Sequence, residues 1–113
     1  MLPNREQAMV ALEKLTGYCL DQTHLRGQHK ARVFQAALGI TVAEADVLRE
    51  ALLVAARTMP ATVQRADAHG QRYVIDFSME HRRRKAVVRS AWIVREDGVP
   101  RLTTCHVLEE RRA

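Results

Sequence analysis

The hydrophobic period of the chain changes halfway along it. Leu12, Leu15, Cys19 and Leu20 fall on one helical stripe interrupted by Gly17, which predicts a first helix. After Gly27, a second short helix is predicted over Lys30–Leu38, with Ala31, Phe34 and Leu38 on one side and Gly39 placed to stop it. Thr41-Val42-Ala43-Glu44 has the form of a capping box: the threonine satisfies free amides and the glutamate reaches back. The helix that follows carries Ala45, Leu48, Leu52, Ala55 and Met59 at helical spacing. Pro60 ends it, because proline cannot continue the ladder and restricts the residue before it.

Beyond Pro60 the period falls to two. Tyr73, Ile75, Phe77 and Met79 alternate with polar or smaller residues, the mark of a half-buried strand. Ala61–Ala66 is expected to pair with it through a turn at Asp67–Gly70. Lys85–Val94 and Leu102–Leu108 form the third and fourth strands, joined through Glu96-Asp97-Gly98. Short connections make the strands antiparallel neighbours. The expected fold is α+β, three N-terminal helices packed on a four-stranded antiparallel sheet, with Phe34, Leu48, Leu52, Ile75 and Phe77 in one core. Residues 1–113 read as a single domain, for no linker or repeat interrupts them, and Glu109–Ala113 reads as a charged, frayed tail. Alternation sets Ser90 and Trp92 on one face and Arg89 on the other. It groups Leu102, Thr104 and His106 opposite Thr103 and Cys105.

Composition narrows the partners. Lys and Arg total 18 against 13 Asp and Glu, giving net charge +5 and favouring an anionic partner, nucleic acid or an acidic protein. Two cysteines, Cys19 and Cys105, are too few for a disulfide scaffold and are expected as buried thiols. With neither a CxxC pair nor HExxH, a zinc site has no support, and no metal or cofactor is expected. G-x-S-x-G, P-loop and dinucleotide fingerprints are missing as well. No stretch approaches the ~20 apolar residues of a membrane span. The opening residues lack a secretory pattern, so the expected location is cytoplasmic, with no membrane partner.

Three clusters can carry chemistry. His24, Arg26, His29, Lys30 and Arg32 place two imidazoles and three cations around Gly27. An imidazole moves protons near neutral pH, and a cation stabilises charge on a phosphate; the plainer alternative is a solvated loop entering a helix. Arg89, Ser90 and Trp92 face Arg101, Thr103, Thr104 and His106 on the last two strands. There the alternatives are good strand formers and a pairing of Arg89 with Asp76 or a glutamate. Arg82, Arg83, Arg84 and Lys85 crowd a hairpin tip, where they suit phosphate contacts or a solubilising loop.

The segments LPN, EKLTGY, KAR, GQRY, VRSAWIV and PRLTTC resemble an uncharacterised bacterial domain family found as small stand-alone proteins and at the C-terminus of Mu-type phage head proteins. A looser likeness runs to the Barnase–EndoU–colicin–RelE ribonuclease toxins. Ser90, Trp92 and Thr104 match their Ser/Thr-x-Trp strand and Thr-bearing strand, while His24 and Lys30 match their N-terminal basic set. His106 stands where many members have tyrosine, which leaves its role open. The likeness implies a metal-independent endoribonuclease toxin acting by 2′-hydroxyl transesterification. His24 is then base or acid, Lys30 and Arg89 stabilise the phosphorane, and Ser90 and Thr104 position a phosphate oxygen. Arg26, Arg32, Arg82, Arg83, Arg84, Lys85 and Arg101 hold flanking RNA, with tRNA among the candidate targets. An acidic antitoxin or immunity protein is the implied partner. The alternatives are a non-catalytic nucleic-acid- or protein-binding module and a structural accessory domain of phage particles.

Overall fold

The computed structural model describes residues 1–109, so of the predicted tail only Glu109 lies among the described residues and Glu110–Ala113 fall outside them. The chain is α+β, with helices first. Helix α1 (Leu12–Lys14) runs into a π-helical turn over Leu15–Cys19, and α2 (Gln28–Leu38) and α3 (Ala45–Thr58) follow. Strands β1 (Thr62–Asp67), β2 (Gly70–His81), β3 (Arg84–Val94) and β4 (Pro100–Val107) form one antiparallel meander in chain order.

Local chemistry sets the helix ends. The Thr41 hydroxyl accepts from the Ala43 amide at 3.3 Å, and Glu44 Oε1 accepts from the Thr41 amide at 2.8 Å. The predicted capping box therefore forms, on a short 3-10 turn that feeds α3. Gly39 closes α2 at φ 65°, a left-handed position that costs glycine nothing, and its amide donates to Gln35 O. The first helix departs from expectation. The Leu20 amide reaches back to Leu15 O, so the chain widens into a π turn around Gly17, burying Leu15 and Cys19 while Leu12 stays exposed.

One face of the sheet is core. Ile75, Phe77 and Met79 of β2 meet Val88 and Trp92 of β3, under Phe34 and Leu38 of α2 and Leu48 and Leu52 of α3. All five expected core residues lie in this cluster. Each such side chain contributes about 1.5–3 kcal/mol through burial.

Strand β4 contains a bulge. Ala91 pairs with Thr104 and Trp92 with Leu102, so Thr103 is an extra residue, and its hydroxyl donates to Ala91 O at 3.1 Å. The bulge reverses the alternation behind it. Leu102 is buried with Cys105 and Val107 rather than sharing a face with Thr104 and His106, which corrects the expected grouping.

The β2–β3 hairpin tip holds the basic run where expected. His81 pairs with Arg84, leaving only Arg82 and Arg83 in the loop, at φ 49° and 66°. A two-residue loop of this kind normally takes Asn-Gly, since larger residues are strained at positive φ. The flanks hold it in place. His81 Nδ1 donates to Leu38 O at 2.6 Å, and Arg84 Nη1 donates to Ala36 O at 3.1 Å. These are carbonyls of the last turn of α2, where a cation is favourable.

Candidate functional site

The sheet face away from the helices carries a row of ionisable groups. Asp76, Arg89 and His106 lie directly opposite one another across β2, β3 and β4. Opposed side chains on neighbouring strands start about 4.5–5.5 Å apart. Arg89 Nε and Nη2 donate to the two Asp76 oxygens at 2.8 and 2.9 Å, a bidentate fork. The fork holds the Asp76 carboxyl below its ordinary range and raises the Arg89 guanidinium. His106 titrates below 6.5, first because it is partly buried, then because Lys30 and Arg89 repel a proton; Asp76 opposes them. The imidazole is therefore neutral at neutral pH and able to accept a proton. Its Nδ1 is buried without a hydrogen-bond partner among the described residues, so any proton transfer with a substrate falls to Nε2.

Lys30 lies in the first turn of α2, which packs against β4 and β3. Its charge acts on His106, Cys19 and Cys105 alike. Thr104 is the diagonal neighbour of Arg89 through the Ala91 pair, and its hydroxyl lies 3.8 Å from Cys19 Sγ. The π turn that widens the first helix delivers Cys19 to β4. Cys19 and Cys105 are buried free thiols, as expected, and they are neighbours. The neighbouring Cys105 thiol brings Cys19 down to about 6, while Cys19 and burial push Cys105 well up. The structure thus gathers Lys30, Arg89 and Thr104 of the expected set and adds His106 and Asp76.

Ser90 does not join them. It is 0% exposed on the core face, where its hydroxyl donates to Ile75 O at 2.9 Å and accepts from Trp92 Nε1 at 2.9 Å. The Ser-x-Trp pattern is explained by packing: a buried indole N–H needs an acceptor, and a serine two residues back on the same face supplies it. This corrects the expectation that Ser90 positions a phosphate.

His24 is built into the loop that leads to α2. Its Nδ1 accepts from the amides of Arg26 and Gly27, both at 3.1 Å, and its ring stands edge-on to Tyr18 with centroids 4.8 Å apart. Gly27 is required there, because a Cβ would sit 2.6 Å from Tyr18 O. Nδ1 is thus occupied, which leaves Nε2 for any proton transfer.

Arg26, Arg32, Arg82, Arg83 and Lys85 are exposed and make no ion pair with a described residue. Arg32 Nη2 donates to Gln28 Oε1 at 3.3 Å. Arg101 is paired with Asp97 at 2.7 Å, which weakens its claim as a free phosphate contact.

The signal for His106 lies in the sequence. In Leu102-Thr-Thr-Cys105-His-Val107 the apolar positions are spaced three and then two apart, a broken alternation that indicates a bulge and moves His106 opposite Arg89.

Among solved structures, a contact-dependent growth inhibition toxin–immunity protein complex from Klebsiella pneumoniae 342 contains a chain of similar fold. The TM-score is 0.68 at 17% identity, over 94% of this chain and 97% of that one. No curated protein matches the sequence. A family model described as a domain of unknown function, DUF6883, matches residues 1–109, and the chain belongs to that family.

Proposed function

We propose that the protein is a toxin of the metal-independent endoribonuclease kind, acting on the open sheet face. The observation that carries this reading is the Asp76–Arg89–His106 row: a neutral imidazole directly opposite Arg89, with the charge of Lys30 also acting on it. RNA cleavage by transesterification asks for that set. His106 takes the proton of the ribose 2′-hydroxyl, and the 2′-oxygen bonds to phosphorus. The bond to the 5′-oxygen then breaks, and that oxygen takes up a proton, with His24 Nε2 or solvent as the donor. Lys30 and Arg89 stabilise the charge on the phosphorane, and the Thr104 hydroxyl holds a phosphate oxygen. Arg26, Arg32 and the Arg82–Lys85 tip hold flanking backbone, with Arg101 as a weaker contact.

The chain of similar fold comes from a complex of a toxin with an immunity protein. Net charge +5 supports the toxin side of such a pair, with RNA as substrate, tRNA first among the classes to test, and an acidic immunity protein as partner. The site of action is then the cytoplasm. The test is incubation of the purified protein with total RNA and EDTA. Cleavage leaving cyclic phosphate and 5′-hydroxyl ends is expected, with growth arrest when the chain is expressed without a partner. Intact RNA and harmless expression overturn the proposal.

A second reading, a non-catalytic RNA-binding module, is favoured by one observation: Asp76 already satisfies the Arg89 fork. The two separate cleanly. A module loses affinity when Arg82 and Arg83 are neutralised and is indifferent to His106→Ala. Both readings expect affinity to fall as salt rises.

A further inference from the structure

Strand β2 outruns its neighbour. β1 pairs with β2 only from Gly70 to Val74, and Thr62, its first residue, sits opposite Val74. From Ile75 to His81, β2 pairs with β3 on one side and with no described strand on the other. Seven residues of strand, about 23 Å at 3.3 Å per residue, therefore leave backbone donors and acceptors along a free edge. Such an edge is a template for another strand.

The space beside the edge is apolar. α3 runs past it, and between helix and strand lies a groove of about 720 Å³ floored by Val47, Ala51, Val54, Phe77 and Met79. Val47 and Val54 are 43% and 48% exposed, on a helix whose opposite stripe fills the core. Glu50 and Glu80 line the groove as well, and neither is ion-paired with a described residue. In a chain of net charge +5, this groove contains carboxylates and no cation.

The geometry points to this groove as the docking site for an extended segment of a partner protein, added to β2 as a fifth strand along Ile75–His81. The free edge calls for main-chain hydrogen bonds. The groove takes alternate apolar side chains of the added strand, and Glu50 and Glu80 select a lysine or arginine beside them. A second copy of this chain fits poorly. When two identical edges pair antiparallel about Ser78, the middle of Ile75–His81, Asp76 of each copy meets Glu80 of the other, and like charges opposed across strands are destabilising. The inference is independent of the ribonuclease reading, because no residue of the Lys30–His106 cluster lines the groove.

The test is selection of a displayed library of random ten-residue peptides on the full chain. Enriched peptides should alternate apolar residues and carry lysine or arginine. Bound to the protein, they should shift the backbone amide resonances of Ile75–His81. Val54→Lys, a surface substitution that leaves the melting temperature near wild type, should weaken them at least tenfold, and Val47→Lys likewise. Glu50→Lys with Glu80→Lys should weaken them several-fold and favour peptides with glutamate in place of lysine. The proposal is overturned if no peptide enriches, or if enriched peptides bind Val54→Lys as well as wild type. Self-association of the wild-type chain that Val54→Lys abolishes also overturns it, for the occupant is then a second copy.

Discussion

Arg89 and Ser90 are consecutive residues with opposite roles. Ser90 points into the core, where Trp92 and the Ile75 carbonyl use up its hydroxyl. Arg89 points out, where it meets Asp76 and stands opposite His106. A strand reverses its side-chain direction at every step, so one residue of displacement separates a group that holds the fold from a group on the open outer face. The same polar residue types that resemble a catalytic strand are divided between two jobs.

That division predicts effects of different kinds. Removing the inner residues should cost stability. Trp92→Ala empties the most voluminous fully buried side chain and should lower the unfolding free energy by about 3–5 kcal/mol in urea titration. Ser90→Ala strands the indole N–H and should cost about 1–3 kcal/mol. Its RNA cleavage per folded molecule should be unchanged, whereas a loss of cleavage with unchanged stability would return Ser90 to the site.

On the outer face the stability effects should be small. The Arg89 and Asp76 side chains are 45% and 38% exposed, so solvent screens the pair, and Asp76→Asn should cost under about 1 kcal/mol. A larger loss would show that the fork holds the sheet together rather than serving the face.

The smallest expected change is in the titration of His106. Its native value lies below 6.5, so as pH falls the unfolded chain takes up the proton first. The histidine therefore contributes stability fully above 6.5, and this is lost as pH drops from there toward the native value. Lys30→Met should raise the His106 titration followed by NMR, and Asp76→Asn should lower it further. No movement in either variant would separate these groups from His106.

The sequence makes the fold legible for a physical reason. The capping box at Thr41, the breaker at Pro60 and the period-two run from Tyr73 are local signals that tertiary packing reinforces. The site is legible only in part. Lys30, Arg89 and Thr104 stand out as residue types, yet Ser90 reads the same way until the demand of Trp92 for an acceptor is considered. Strict alternation from Leu102 puts His106 on the wrong face, and only the three-then-two spacing of Leu102, Cys105 and Val107 betrays the bulge that corrects it. The widening at Leu15–Cys19 is hidden, because a π turn differs from a helical turn by one residue of spacing.

The central claim is that chemistry belongs to the outer face, with His106 as its base. The most direct measurement is single-turnover RNA cleavage by His106→Ala, compared with wild type at equal folded concentration. A positioned proton-transfer group is worth about 10²–10⁴ in rate, so cleavage should fall by that factor while the melting temperature stays near wild type. Cleavage at the wild-type rate by a folded His106→Ala protein would contradict the account.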